Sequence, residues 1–212
     1  MKKIIAIQIT IFVLTSGTLM GLFLYHNIYD EVQLKIVSVL CLSCIKLNPK
    51  THIQFIFQTA NHKAHPDFVL ENLTKGPLFV YYTQDACHGC EIMDPIIKDV
   101  FNINFDKKSF FYKTVFLYNS NITFIHINLD HSPSEMTNSL FIYDKDHVGG
   151  VPMFVVVTLG YDFDVVKPYY TSAYGTLDLD TYEERKEALA DMILDGIELY
   201  KQNQAGFRIE KR

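Results

Sequence analysis

The chain has 212 residues, 49% of them hydrophobic and 20% charged, with a formal net charge of −5. That composition excludes a largely disordered chain and suffices for one core of roughly 100–200 residues. The negative balance gives no nucleic-acid signal, because no dense Lys/Arg stripe occurs and the basic end RIEKR is too short to count.

The first element is an uncharged run. Lys2 and Lys3 precede IIAIQITIFVLTSGTLMGLFLY, residues 4–25. About 20 predominantly apolar residues are what a helix needs to cross a bilayer. Asp30 and Glu31 follow the run, and the lysines before it predict a cytoplasmic N-terminus with the remainder outside. Residues 1–25 are therefore expected to be a signal anchor, a single-pass transmembrane helix that holds an extracytoplasmic domain at the cell membrane. The alternative is a signal peptide, cleaved to leave a secreted protein. Its apolar region normally spans about 7–15 residues and ends in a small-x-small site, which this run lacks. In both cases the domain is exported to a place where disulfides form and persist.

Residues 26–50 read as a linker segment carrying CLSC, Cys41 and Cys44, with no clean helical or strand period. Asn48-Pro49 breaks it, and a domain is expected over 51–206. THIQFIFQTA alternates, with Ile53, Phe55 and Phe57 on one side, which predicts a strand. DFVLENLTK predicts a short helix, opened by His65-Pro66 and stopped by Gly76-Pro77. LFVYYT is a continuous apolar run of the kind buried in a sheet centre. CEIMDPIIKDVF reads as a helix with Ile92, Ile96, Ile97 and Val100 on or near one face, kinked at Pro95.

An aromatic-rich insertion, helical or hairpin, occupies about 102–121. ITFIHINLD predicts another buried strand, and SPSEMTNSLFIYDK a helix. HVGGVPMFVVVTL gives a Gly-Gly turn and then a β-branched strand. FDVVKPYYTSAY pairs beside it, with Pro168 suited to an edge or bulge. The last helix is the clearest, with Leu189, Met192, Ile193, Ile197 and Tyr200 as its apolar stripe. The order from Thr51 is β α β α, insertion, β α β β α. It predicts an α/β fold with a central mixed β-sheet flanked by helices.

The chemistry concentrates in CHGC. All four cysteines fall in two C-x-x-C units, Cys41/Cys44 and Cys87/Cys90. Cys87 stands between a strand and a helix, where unsatisfied backbone N–H groups and the helix dipole favour a thiolate. A lowered pKa raises the thiolate fraction available for exchange, which makes Cys87 the expected nucleophile. Cys90, about one turn later, is the expected resolving thiol. His88, when protonated, adds positive charge near the sulfur, and Asp85, two residues before Cys87, opposes it.

The segment from about Thr51 to Gln204 resembles the thioredoxin-like superfamily. LFVYYTQDACHGCEIMDP is similar to that family's central strand, active-site turn and proline-kinked helix, with Pro95 five residues after Cys90. GGVPMFVVV is similar to the segment carrying its cis-proline, and AYGTLD to the turn into its last helix. The resemblance implies a thioredoxin-like fold and a thiol–disulfide oxidoreductase acting on protein dithiols and disulfides, without a cofactor. It implies Pro152 as the cis residue, with the Val151 backbone binding the substrate chain. The sequence departs from the family in four places, one being the segment 102–121, which lengthens the link between the helix and the next strand. His-Gly separates the cysteines instead of Gly-Pro or Gly-His; Ala86 replaces the tryptophan; and Tyr81 replaces the buried acid that accepts the second cysteine's proton.

Cys41 and Cys44 fit three readings: a second dithiol exchanging electrons with Cys87/Cys90, a structural disulfide, or metal ligands. The expected partners are protein thiols and disulfides, a membrane redox partner, and the membrane itself through residues 4–25, with no nucleic acid. A four-cysteine zinc site needs both units to converge, and strand, helix and strand patterns intervene between them. The alternative functions are copper binding or delivery, since soft thiolates select Cu(I) and His88 and His147 can assist, and a non-catalytic binding domain.

Overall fold

The structure, a computed structural model, describes residues 55–60, 63–162 and 165–206. The expected anchor at 4–25 and the Cys41/Cys44 pair lie outside the described residues. Among the described residues no helix is long and apolar enough to cross a membrane.

In chain order the elements are α1 (Asp67–Leu73), β1 (Leu78–Thr83), α2 (His88–Phe101), β2 (Phe111–Leu117), β3 (Ser120–Asn128), α3 (Ser134–Asn138), α4 (Leu140–Tyr143), β4 (Met153–Asp162), β5 (Val165–Tyr174) and α5 (Tyr182–Asn203). The strands form one five-stranded mixed sheet in the order β2-β3-β1-β4-β5. Only the β1/β3 pair is parallel; β1/β4, β2/β3 and β4/β5 are antiparallel.

LFVYYT is central because every one of its side chains is buried. Side chains alternate across a strand, so Phe79 and Tyr81 enter one core and Leu78, Val80 and Tyr82 the other. The first core is closed by Met93, Ile96 and Ile97 of α2 and by Leu189, Met192 and Ile193 of α5. The second is closed by Val69 and Leu73 of α1 and by Leu140 and Tyr143 of α4. Each large apolar side chain removed from water in this way contributes about 1.5–3 kcal/mol.

Helix α5 begins at a capping box. Glu184 N–H donates to Thr181 Oγ1 at 3.2 Å, and Thr181 N–H donates to Glu184 Oε2 at 3.1 Å. All five residues of its expected stripe are buried. At Gly196 the helix touches the sheet so closely that a Cβ would collide with Val156, and Thr158 Oγ1 donates to the Gly196 carbonyl at 2.5 Å.

Two elements differ from their sequence expectation, and a third, left open between helix and hairpin, is decided. The strand expected from THIQFIFQTA is, within residues 55–60, a single antiparallel bridge between Gln58 and Tyr170. The next reciprocal pair along that ladder would set Ala60 against Pro168, which has no N–H to donate. The insertion becomes a hairpin. Leu117 pairs with Ser120 across a two-residue turn, Tyr118-Asn119, with φ of 49° and 57°. That is the primed turn geometry whose twist matches adjoining strands, and it adds β2 at the sheet edge. The single helix expected after Pro133 is split in two at Ser139. The Ser139 hydroxyl bonds back to the Met136 carbonyl at 2.5 Å and meets Tyr82 Oη at 2.6 Å, so it serves tertiary packing rather than helix continuity.

Candidate active site

Cys87 is the N-cap of α2, in extended conformation with φ −118° and ψ 97°. Its Sγ accepts the N–H of Cys90 at 3.1 Å, using one of the donors that a helix start leaves without an internal partner. Cys87 and Cys90 are joined as a disulfide with Cα atoms 5.2 Å apart. Only 8% of Cys87 and 4% of Cys90 is exposed. If the bond is reduced, the same N–H and the helix dipole stabilise negative charge on Cys87 Sγ.

The loop before β4 packs against the cysteine turn. The Val151–Pro152 peptide is cis. Pro152 packs directly on Gly89, between the cysteines: a Cβ at Gly89 would lie 2.8 Å from Pro152 Cδ. Gly175 N–H donates to the Pro152 carbonyl at 2.8 Å and fastens the loop to the end of β5. Beside Pro152 an open groove of about 400 Å³ runs past Val148, Val151, Tyr174, Thr176 and Asp178. The approach to the groove is set by Asp144, which sequence reasoning missed. Its carboxylate accepts the N–H groups of Val148 at 2.9 Å and Gly149 at 2.8 Å. Burial pushes the Asp144 carboxyl up, but the bonds from Gly149, Val148 and Tyr174 outweigh it and hold the group below its ordinary range.

The two charged neighbours singled out from the sequence are both engaged elsewhere. His88 points into solvent, its Nδ1 3.7 Å from Glu91 Oε2. The Asp85 carboxylate accepts from His131 Nε2 at 2.9 Å and from Asn128 Nδ2 at 3.0 Å, and these bonds lower its pKa. Its negative charge is thus shared with the loop after β3. His147 is exposed at a φ of 55° in the turn between Asp144 and Gly149. Among the described residues no group of three or more His, Cys, Asp and Glu side chains is placed to hold a metal ion.

Beneath the cysteines lies a polar pair that composition and periodicity did not flag. Tyr81 is fully buried, and its Oη donates to Asp94 Oδ1 at 2.8 Å and lies 3.5 Å from the Cys90 carbonyl. Burial pushes the Asp94 carboxyl up, while the Tyr81 hydrogen bond works against that rise. The advance signals were Tyr81 in place of the expected buried acid and the four-residue step from Cys90 to Asp94, which places those two on the same helical face. Beside Tyr81, with ring centroids 5.6 Å apart, His126 is fully buried. Its Nδ1–H donates to the Ser109 carbonyl at 2.9 Å, which leaves Nε2 to accept from Thr83 Oγ1 at 2.7 Å. Burial pulls the His126 pKa down to about 4.

Comparison of the chain with protein-family models, with curated proteins and with solved structures found no match.

Proposed function

We propose that this chain is a thiol–disulfide oxidoreductase of the thioredoxin-like class, acting on protein dithiols and disulfides. The observation that carries the reading is the Cys87–Cys90 disulfide at the N-terminus of α2, with Cys87 Sγ accepting the Cys90 N–H. Its support is the contact between Gly89 and the cis Val151–Pro152 loop, and the open groove beside that loop. In the reducing direction the Cys87 thiolate attacks a substrate disulfide. A Cys87–substrate disulfide forms and one substrate thiolate leaves. Cys90 then loses its proton and attacks Cys87 Sγ, the second substrate thiolate leaves, and two electrons have passed from the dithiol to the substrate. The oxidising direction is the reverse sequence. Val151 and Pro152 would line the substrate chain, the exposed His88 and the Asp85 carboxylate held by His131 and Asn128 would modulate the pair only from a distance, and Cys41/Cys44 would serve as a second dithiol. The run at residues 4–25 would anchor the protein in the membrane with its domain outside.

The test is trapping in whole cells with Cys90→Ala. The reading predicts mixed disulfides on Cys87 that vanish when Cys87→Ala is added. Recovery of no adducts, with one Cu(I) per chain retained on the purified protein, would contradict it in favour of the copper reading.

A further inference from the structure

A buried resolving thiol has a proton problem. The thiolate, not the thiol, attacks a disulfide, yet Cys90 is only 4% exposed and bulk water has little access to it. Some nearby group must take the proton when Cys90 attacks. On α2 itself, Glu91 is turned to solvent, where it faces His88 Nδ1 at 3.7 Å and Lys107 Nζ at 3.8 Å. The Lys98 ammonium sits 4.8 Å above the Phe105 ring and has no lone pair to offer. From β3, His126 uses one ring nitrogen on Ser109 and the other on Thr83. Asp94 remains. It stands four residues after Cys90, one turn along the same helical face, where side chains are about 5–6 Å apart. Tyr81, reaching across from β1, fixes the carboxylate at 2.8 Å and lies 3.5 Å from the Cys90 backbone carbonyl, so one hydroxyl holds the Asp94 carboxylate beside the turn that carries Cys90.

Resting on the oxidoreductase reading above, we propose that Asp94, positioned by Tyr81, accepts the Cys90 proton when Cys90 resolves a mixed disulfide at Cys87. The Cys90 S–H bond breaks and Asp94 takes the proton. The Cys90 sulfur lone pair forms the bond to Cys87 Sγ, and the Cys87–substrate S–S bond breaks with its electron pair leaving on the substrate sulfur. Asp94 is half-buried, so its proton then passes to the departing thiolate or to solvent. Burial raises the proton affinity of Asp94 toward that of a thiol, while bonding from Tyr81 and the nearby charges of Lys98 and Lys107 restrain it and Glu91 adds to it. A carboxylate raised in this direction is a better proton acceptor than an ordinary surface aspartate.

The experiment uses the full chain carrying Cys41→Ser and Cys44→Ser, reduced and then mixed with glutathione disulfide. Acid quenching and mass spectrometry separate two steps, glutathione addition at Cys87 and its resolution by Cys90, between pH 5 and 9. Asp94→Asn should slow resolution at pH 7 by at least about tenfold, the lower end of what a positioned general base supplies being nearer a hundredfold. The addition step should change far less, and the deficit should narrow at high pH as hydroxide takes over. Tyr81→Phe keeps the carboxylate but removes a hydrogen bond to its charged form, so the rising limb of the resolution profile should move to higher pH. Resolution profiles unchanged in both variants, or addition and resolution slowed equally, would overturn the assignment. Absence of any Cys87 adduct in the Cys90→Ala chain would instead sink the oxidoreductase reading, and this assignment with it.

Discussion

Substituting Gly89→Ala tests whether the cysteine turn and the proline loop are one mechanical unit. A Cβ at this position would lie 2.8 Å from Pro152 Cδ and 3.4 Å from Cγ, whereas carbon atoms rest about 3.5–4.0 Å apart. The two segments must therefore separate by about 0.7 Å. Neither side yields easily. Gly89 lies between the halves of a disulfide, and Pro152 is buried, with its carbonyl held by Gly175 N–H. Overpacking of this kind costs about 1–3 kcal/mol. Replacing glycine by alanine in a helix returns up to about 1 kcal/mol, so the net change should be destabilising. The comparison that decides is a double-mutant cycle with Pro152→Ala, measured by urea unfolding. Pro152→Ala removes Cγ and Cδ, leaving only the helix-propensity gain. Gly89→Ala should then stabilise, and the coupling energy should reach about 1 kcal/mol or more. Additivity within about 0.5 kcal/mol would refute the claimed contact.

Acid should weaken the fold through His126. Its folded pKa lies near 4, below the ordinary 6.5, chiefly because of burial. Between those values the unfolded chain binds more protons, so stability falls as pH drops from about 6.5 to 4, by about 3 kcal/mol at the lower end. The difference in urea midpoint between the protein and His126→Asn should shrink over that window, and a constant difference would contradict the assignment. Asp144→Ala frees the N–H groups of Val148 and Gly149. Their amide hydrogens should exchange at least about tenfold faster, and peptide substrates should bind more weakly while glutathione still reacts. Gly196→Ala forces a Cβ into Val156 of β4, without touching the cysteine turn. It should lower stability by about 1–3 kcal/mol, with the Cys87/Cys90 redox equilibrium unmoved.

The parts of the fold that were legible in the sequence are those where one local pattern decided the outcome. LFVYYT had to be central because it offers no polar face to water, and the stripe from Leu189 to Tyr200 had to face a core. The insertion stayed open between helix and hairpin because its deciding feature is the positive φ of Tyr118 and Asn119, and tyrosine is no turn signal. Within 55–60 the strand expected at 51–60 is one bridge, and on its Ala60 side the next pair would meet a proline about 110 positions away. For the site, the strand–CHGC–helix order marked Cys87 and Cys90. The Tyr81–Asp94 bond was hidden, since a carboxylate beside a proline in a helix reads as surface until the sheet that covers it is placed. Tyr81 in the position of a buried acid suggested a missing proton route; the carboxylate it bonds comes from the helix instead of the strand. Asp144 was likewise invisible, because two of its partners are backbone N–H groups, which leave no trace in residue identity, and the third, Tyr174, is distant in sequence.

The central claim is that Cys87 and Cys90 form a reversible redox couple in the folded protein. It is tested most directly by equilibrating the full chain in glutathione buffers of graded potential and reading each cysteine by alkylation and mass spectrometry. The account predicts a cooperative two-electron transition of the Cys87/Cys90 pair with the fold intact on both sides. It also predicts that Cys87 is the site of the glutathione adduct in the Cys90→Ala chain. A pair that stays oxidised until the protein unfolds would be a structural disulfide and would contradict the account.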